Sequence, residues 1–353
     1  MSLCLSNFSD FIVFSGDFPL KFFSVRWVES IPVAKRLIHL WPHLVLYIEE
    51  VKKRTESKQP TCASFKVLCE AVNDPLTLEK LHTFVAIANE FNGYLVNFQA
   101  NKPMAPLMYE GIKKIIHSLM SRFVSQKVLE DKLSLQCVQK LDFDDSKNTK
   151  PPQKISLYFE ISEALKQSKC SESQVIDFKR DFKNILMQTT KHTINKSSIK
   201  YDTIFQLDCF NPKSIVGKTP YQLRKKLNSL LSSFVTNKYI ESSECDAIID
   251  QYMQLQSQAS NGDLRHKFED FNLVNDRLDE FYWNLLTNQP TYVDKMWPVL
   301  KIIMILSHGQ ADVERGFSIN KQLLEDNMKE KSIVCNRIVT DACMVSVLNK
   351  KYL

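Results

Sequence analysis

Glycine is scarce, with seven residues in a chain of 353. Turn-rich folds draw on glycine for positive φ, so this shortage argues against a fold made of hairpins and tight turns. The nine cysteines (4, 62, 69, 137, 170, 209, 245, 335 and 343) are odd in number and contain no CxxC or CxxH pair. That argues against a zinc finger and against a disulfide framework, and suits a reducing compartment such as the cytosol or nucleus. Cys69, Cys209, Cys335 and Cys343 stand among apolar neighbours and read as core filler. Long apolar runs are missing too: Ile302–Leu306 is among the longest and is far too short to span a bilayer. Met1–Gly16 has no basic region before its apolar residues, and Asp10 interrupts them, so it does not read as a signal peptide. The expectation is a nuclear or cytoplasmic protein with no membrane partner. There is no internal repeat, heptad array or low-complexity tract, and no strong strand signal; Phe18–Trp27 is the best weak candidate. The net charge of +6 is small for this length, and permits a nucleic-acid partner without demanding one.

What is present is helical periodicity. Leu81, Phe84, Val85, Ala88, Phe91, Leu95 and Phe98 recur at steps of three and four, which places them on one stripe. Asp74-Pro75 opens that helix with a capping carboxylate and a proline whose missing N–H costs nothing in a first turn. A second stripe is Ile112, Ile115, Ile116, Leu119 and Phe123. A third is Val175, Phe178, Phe182, Ile185 and Leu186, preceded by Ser171 and Gln174 at capping-box spacing. Thr219-Pro220 opens a fourth, carrying Leu223, Leu227, Leu230, Leu231 and Phe234. Further helices are expected over about 30–54 and 272–288, and from Ser332 through Ile338, Cys343 and Val347. Asp142–Lys154 is polar with two prolines, and predicts an exposed loop or disordered connector. A second loop is expected from Cys209 to Gly217. Trp41, Trp283 and Trp297 read as core, and His308 as a turn or capping residue. Lys113-Lys114 and Arg224-Lys225-Lys226 lie opposite apolar stripes and read as solvated surface. Lys52-Lys53-Arg54 is too short to be taken as a nuclear signal.

Near the end stand Met296-Trp297-Pro298-Val299-Leu300-Lys301 and Leu306-Ser307-His308-Gly309-Gln310-Ala311-Asp312-Val313-Glu314-Arg315-Gly316-Phe317-Ser318, followed by Asn320, Leu324, Asn327 and Arg337-Ile338-Val339. This block closely resembles the C-terminal block of hAT-superfamily DNA transposases. A second stretch, Phe18–Phe22, Val25-Arg26-Trp27-Val28-Glu29, Val33–Arg36 and Trp41-Pro42, looks like the Arg-Trp segment of one branch of that family. Leu207-Asp208 and Asn211-Pro212 stand where relatives carry a Leu-Asp-Pro-like turn.

The resemblance implies a mostly α chain: a remnant N-terminal segment over 1–27, a large helical insertion domain over 28–290, and C-terminal association helices over 291–353. In the intact family those last helices pack on a ribonuclease-H-like sheet. It implies that Glu314 descends from one ligand of a two-magnesium site whose other ligands are two Asp. Those Asp and the family's zinc finger are expected to be absent from this chain, so no catalysis by the chain alone and no cofactor are expected. Trp27 matches a tryptophan that stacks on a flipped base, or else it is core; Arg26 stands beside it. Arg315 makes a structural ion pair or a phosphate contact. The expected partners are a second copy or a related transposase chain, and DNA weakly. Two alternatives are a truncated form of an active two-metal transposase and a domesticated interaction module.

Overall fold

The computed structural model describes residue 20 and residues 27–54, 59–99, 102–131, 138–306, 331–332, 334–340 and 342. These are mostly helical, and among them the only β pairing is an isolated antiparallel bridge between Val124 and Thr149. The mostly α class is therefore observed. The chain divides into two compact units, residues 1–95 with 109–205, and residues 96–108 with 206–353. The division runs inside the 28–290 span.

In the first unit a short 3-10 turn, Trp27–Ser30, leads into α1 (Ile31–Lys52). Leu40, Leu44, Tyr47, Ile48 and Val51 of α1 bury against Phe65 and Leu68 of α2 (Ala63–Asn73), with Trp41 and Cys69 packed alongside. Ile31 and Ala34 meet Val85 and Ala88 of α3 (Thr77–Phe98). Each fully buried aliphatic side chain of this kind contributes about 1.5–3 kcal/mol. Asp74 caps the approach to α3 as its position suggests: the Leu76 N–H donates to Oδ1 at 2.9 Å, and Lys80 pairs with Oδ2. The stripe from Ile112 to Phe123 is buried along α4 (Met108–Phe123), which a short α5 (Gln126–Asp131) follows.

The segment from Asp142 to Lys154 is a mostly exposed loop, as its composition predicts, but it is docked rather than loose. Phe143 is buried and sets its ring edge-on against Phe123 at 5.5 Å. The Lys150 N–H donates to the Phe123 carbonyl at 2.7 Å, and the Lys150 ammonium to the Ser121 carbonyl at 2.7 Å. Lys183 donates to Thr149 Oγ1 and the Lys150 carbonyl, both at 2.9 Å. The segment thus satisfies carbonyls that the end of α4 leaves open. Beyond α6 (Phe159–Gln167), α7 (Glu172–Lys196) begins with the expected capping box, Ser171 with Gln174.

The second unit is organised around a buried turn. After α8 (Asp202–Leu207), the 3-10 turn Asp208–Phe210 is buried throughout, and α9 (Pro212–Gly217) follows directly. A loop was expected over much of this stretch; Asn211 instead caps a helix, its Oδ1 accepting from the Lys213 N–H at 3.1 Å. Two fully buried tyrosines hold the turn. Tyr252 of α11 (Cys245–Asn261) donates to the Cys209 carbonyl at 2.6 Å, and Tyr282 of α13 (Leu278–Asn288) to the Phe210 carbonyl at 2.8 Å. Between them in sequence lies the short α12 (Arg265–Asp270). Cys209 is buried filler, as expected, and its burial pushes the thiol pKa up.

Asp208 is fully buried and carries the polar centre. Ser214 donates to Oδ1 at 2.7 Å; the Lys218 and Lys226 ammonium groups both contact Oδ2, the latter at 2.5 Å. Lys226 belongs to α10 (Pro220–Thr236), where a solvated surface was expected, yet it is 5% exposed. The expectation fails because residue 226 falls beside Leu223, Leu227 and Leu230 on the inward arc of the helix. Helix α10 starts with a Thr219–Gln222 capping box and ends in a Schellman motif. Tyr239 N–H donates to Phe234 O at 2.9 Å and Lys238 N–H to Val235 O at 3.0 Å, with Lys238 at φ 59°. In a chain this poor in glycine, a lysine takes the left-handed position that glycine would fill more easily.

Burial alone would raise the Asp208 pKa, but the two ammonium groups outweigh it and hold the carboxyl below its usual range. Breaking a buried ion pair costs about 3–5 kcal/mol. Asp208→Asn, which deprives the buried Lys226 and the half-buried Lys218 of their shared carboxylate, is expected to reach that range. Lys226→Met leaves Asp208 with Lys218 and should cost less. Because the folded pKa is depressed, the carboxylate's contribution is complete above about pH 4 and is lost as pH falls through the folded value. Urea unfolding of wild type and both variants between neutral and acid pH tests the ranking; equal losses would contradict it.

Candidate functional site

In the second unit, α13 and α14 (Trp297–Ile305) each send one face inward and one outward. Leu278, Tyr282 and Leu285 of α13 are buried, as are Val299, Leu300 and Ile303 of α14. The outward arcs carry Asp279, Glu280 and Trp283 on α13, and Trp297, Lys301, Met304 and Ile305 on α14. Together they line a cleft of about 480 Å³. Its walls are chiefly apolar: Ile305 is 82% exposed and Trp283 is 55% exposed. The two indole rings lie 5.6 Å apart, inclined at 50°. On the rim, Arg277 pairs with Asp279 at 2.7 Å and Glu280 at 3.4 Å, and Lys301 is exposed.

Gln251 of α11 sets where α14 begins. Its amide donates to the Thr291 carbonyl at 2.8 Å and to Asp294 Oδ1, while its own oxygen accepts from the Met296 N–H at 3.0 Å. The amide donation also holds the Asp294 carboxyl below its ordinary range. Pro298 follows in the first turn of α14, where no N–H is needed. One buried glutamine thus fixes the turn that presents Trp297.

Trp283 was expected to be core and is not. It sits one residue past Tyr282, about 100° around the helix from the buried stripe, and the stripe is complete without it. Trp41 and Trp297 are half-buried. Cys335, expected as filler, is exposed. Trp27 opens the 3-10 turn before α1. The positions proposed by resemblance for a metal ligand and for DNA contacts, Glu314, Arg26 and Arg315, lie outside the described residues, as do His308 and Cys343.

Among the described residues no group of three His, Cys, Asp or Glu side chains converges where a metal ion could be held. A second cavity of about 510 Å³, between α3 and α7, is lined by Lys80, Thr83, Asp177, Phe178, Asp181 and Phe182 among others. Nothing in it pairs a nucleophile with a base. The α13–α14 cleft, with its chiefly apolar walls, is suited to contact with an apolar surface. No described helix is long and apolar enough to cross a membrane. Compared with known proteins, the chain matches no family model, no curated protein and no solved structure.

Removing the Gln251 amide leaves the Met296 N–H and the Thr291 carbonyl without their partner, at a cost of about 1–3 kcal/mol. Gln251→Ala is therefore expected to lower stability by that amount and to speed amide exchange at Met296. Wild-type exchange at Met296 in the variant would show that α14 is positioned by other contacts.

Proposed function

We propose that this chain corresponds to the helical insertion and C-terminal association region of a hAT-type transposase, and that it works by protein association. The observation that carries this is the apolar cleft on α13 and α14. It opens where the transposase-like block begins, with Trp297-Pro298 on one wall and Ile305 beside its last described turn. An apolar surface of this kind is stabilised when a second chain covers it. The two-fold reading is consistent with charge: the rim carries Asp279 and Glu280, which share Arg277, on one helix and Lys301 on the other. In an isologous pair each copy can offer its lysine to the partner's acids. The mostly helical architecture fits an insertion domain, though many other α proteins share it.

The resemblance places one of the family's three metal-holding carboxylates, Glu314, within these 353 residues. One carboxylate does not hold a two-metal pair, so the polypeptide by itself is not expected to cut DNA. Arg26, Trp27 and Arg315 are the residues that the resemblance assigns to DNA.

Light scattering over micromolar concentrations should find a concentration-dependent dimer, and Ile305→Glu combined with Trp283→Glu should give monomer. A well-folded wild type that stays monomeric throughout this range would overturn the association reading. Incubation with plasmid and oligonucleotides in Mg²⁺ or Mn²⁺ should give no cleavage. Nicking that Glu314→Gln abolishes would overturn that part.

A further inference from the structure

The chain's net charge is not spread evenly. Between Asp208 and Glu241 there is no carboxylate side chain, while Lys213, Lys218, Arg224, Lys225, Lys226 and Lys238 supply six cations. The whole protein carries +6, so the remaining residues taken together sum to zero. A net charge that is unremarkable over the full length is matched here within one short stretch.

The fold then sorts these cations. Lys218 and Lys226 turn to Asp208, and Lys213 donates to the Glu269 carbonyl at 2.5 Å. Arg224, Lys225 and Lys238 remain exposed, and none of the three forms an ion pair among the described residues. On α10 the outward face reads Tyr221, Arg224, Lys225, Asn228, Ser229 and Ser232, at helical steps opposite the buried Leu223, Leu227, Leu230 and Phe234. Tyr221 is 75% exposed. The Ser229 and Ser232 hydroxyls donate back to the Lys225 and Asn228 carbonyls, which keeps them close to the helix and leaves their lone pairs outward. Arg, Lys, Asn, Ser and Tyr are the side chains that contact phosphate and sugar oxygens, and this face has no carboxylate to repel them.

We infer that the outward face of α10 binds the phosphodiester backbone of duplex DNA, through Arg224 and Lys225 with Tyr221 and Asn228 beside them. The complementarity is one of charge and hydrogen bonding: the face offers one exposed ring, Tyr221, and no exposed aliphatic side chain, so it lacks the apolar stripe by which a helix inserts into an anionic lipid surface. The contact reads no sequence. It rests on the charge distribution alone and stands whether or not the transposase reading holds.

Each neutralised phosphate adds about 0.9 to the steepness of log affinity against log salt. Replacing Arg224 and Lys225 together by Gln should therefore flatten the slope by about 1.8 and weaken low-salt binding by roughly tenfold or more. Both side chains are exposed, and circular dichroism with thermal melting will confirm that the fold is kept. Fluorescence anisotropy with a mixed-sequence 30-base-pair duplex, at several salt concentrations, gives the slope for wild type, Arg224→Gln/Lys225→Gln and Arg26→Ala/Trp27→Ala. The proposal is supported if the first variant alone flattens the slope. It is overturned if that variant binds as wild type does, if only the Arg26/Trp27 variant loses binding, or if the wild type does not bind duplex. Preferential binding to phosphatidylserine vesicles over duplex would also overturn it. Ile305→Glu/Trp283→Glu, measured in parallel at a protein concentration below dimer formation, separates this outcome from a failure of the association reading.

Discussion

The second unit depends on what surrounds three consecutive buried residues, Asp208, Cys209 and Phe210. Their backbone accepts from two tyrosine hydroxyls on two different helices, and their one carboxylate accepts from a serine and two lysines on α9 and α10 and the link between them. A turn buried this deeply would leave carbonyls desolvated at a cost of about 1–3 kcal/mol each if they went unpaired. Here those bonds also select geometry: a tyrosine reaches its carbonyl only when α11 and α13 stand at one distance and rotation. The Phe210 ring, edge-on to Tyr252 at 5.6 Å and to Tyr282 at 6.5 Å, fills the space between the same helices. Polar and apolar constraints therefore agree on one packing.

That centre governs both surfaces discussed above. Lys226 can face inward only because Asp208 is there to receive it, and its burial fixes the rotation of α10. The rotation that turns Lys226 in turns Arg224 and Lys225 out, since they stand about 200° and 100° from it around the helix. On the other side, Tyr282 is tied to Phe210, and that tie points Trp283 to solvent. The exposed indole and the exposed cations are two consequences of one buried turn.

The helices were legible because their signals are local. Apolar stripes at three- and four-residue steps mark one buried face, and both capping boxes form at the spacing that the letters suggest, Ser171 with Gln174 and Thr219 with Gln222. What was not legible depends on residues distant in sequence. Lys226 looks like surface in a run of three cations until Asp208 is folded against it. Asp142–Lys154 looks loose by composition because Phe143 and the backbone donors that dock it are few, while their partners lie on α4. Trp283 looks like core because tryptophan usually is. One wall of the cleft carries a sequence signal in the apolar excess at Ile302–Leu306, but Trp297 reads as core and is half-buried instead. The other wall, on α13, and the glutamine that aligns the two carry no such signal, because a lone Gln251 carries no pattern.

The two proposed surfaces differ in what they need. A pair of outward cations contacts about two phosphates, and by the counterion-release relation that gives weak, shallowly salt-dependent binding. The α13–α14 cleft contains no basic cluster and adds little to DNA affinity by itself. Association changes the arithmetic. A dimer joined through that cleft carries two α10 faces, and once the first has bound, the second meets the same duplex at an effective concentration set by the dimer's geometry rather than by bulk protein. Affinity then rises without any new contact, provided that both faces can reach one duplex. Taken together, the two proposed surfaces are coherent: modest charge would keep single copies from binding DNA indiscriminately, and pairing would supply the strength.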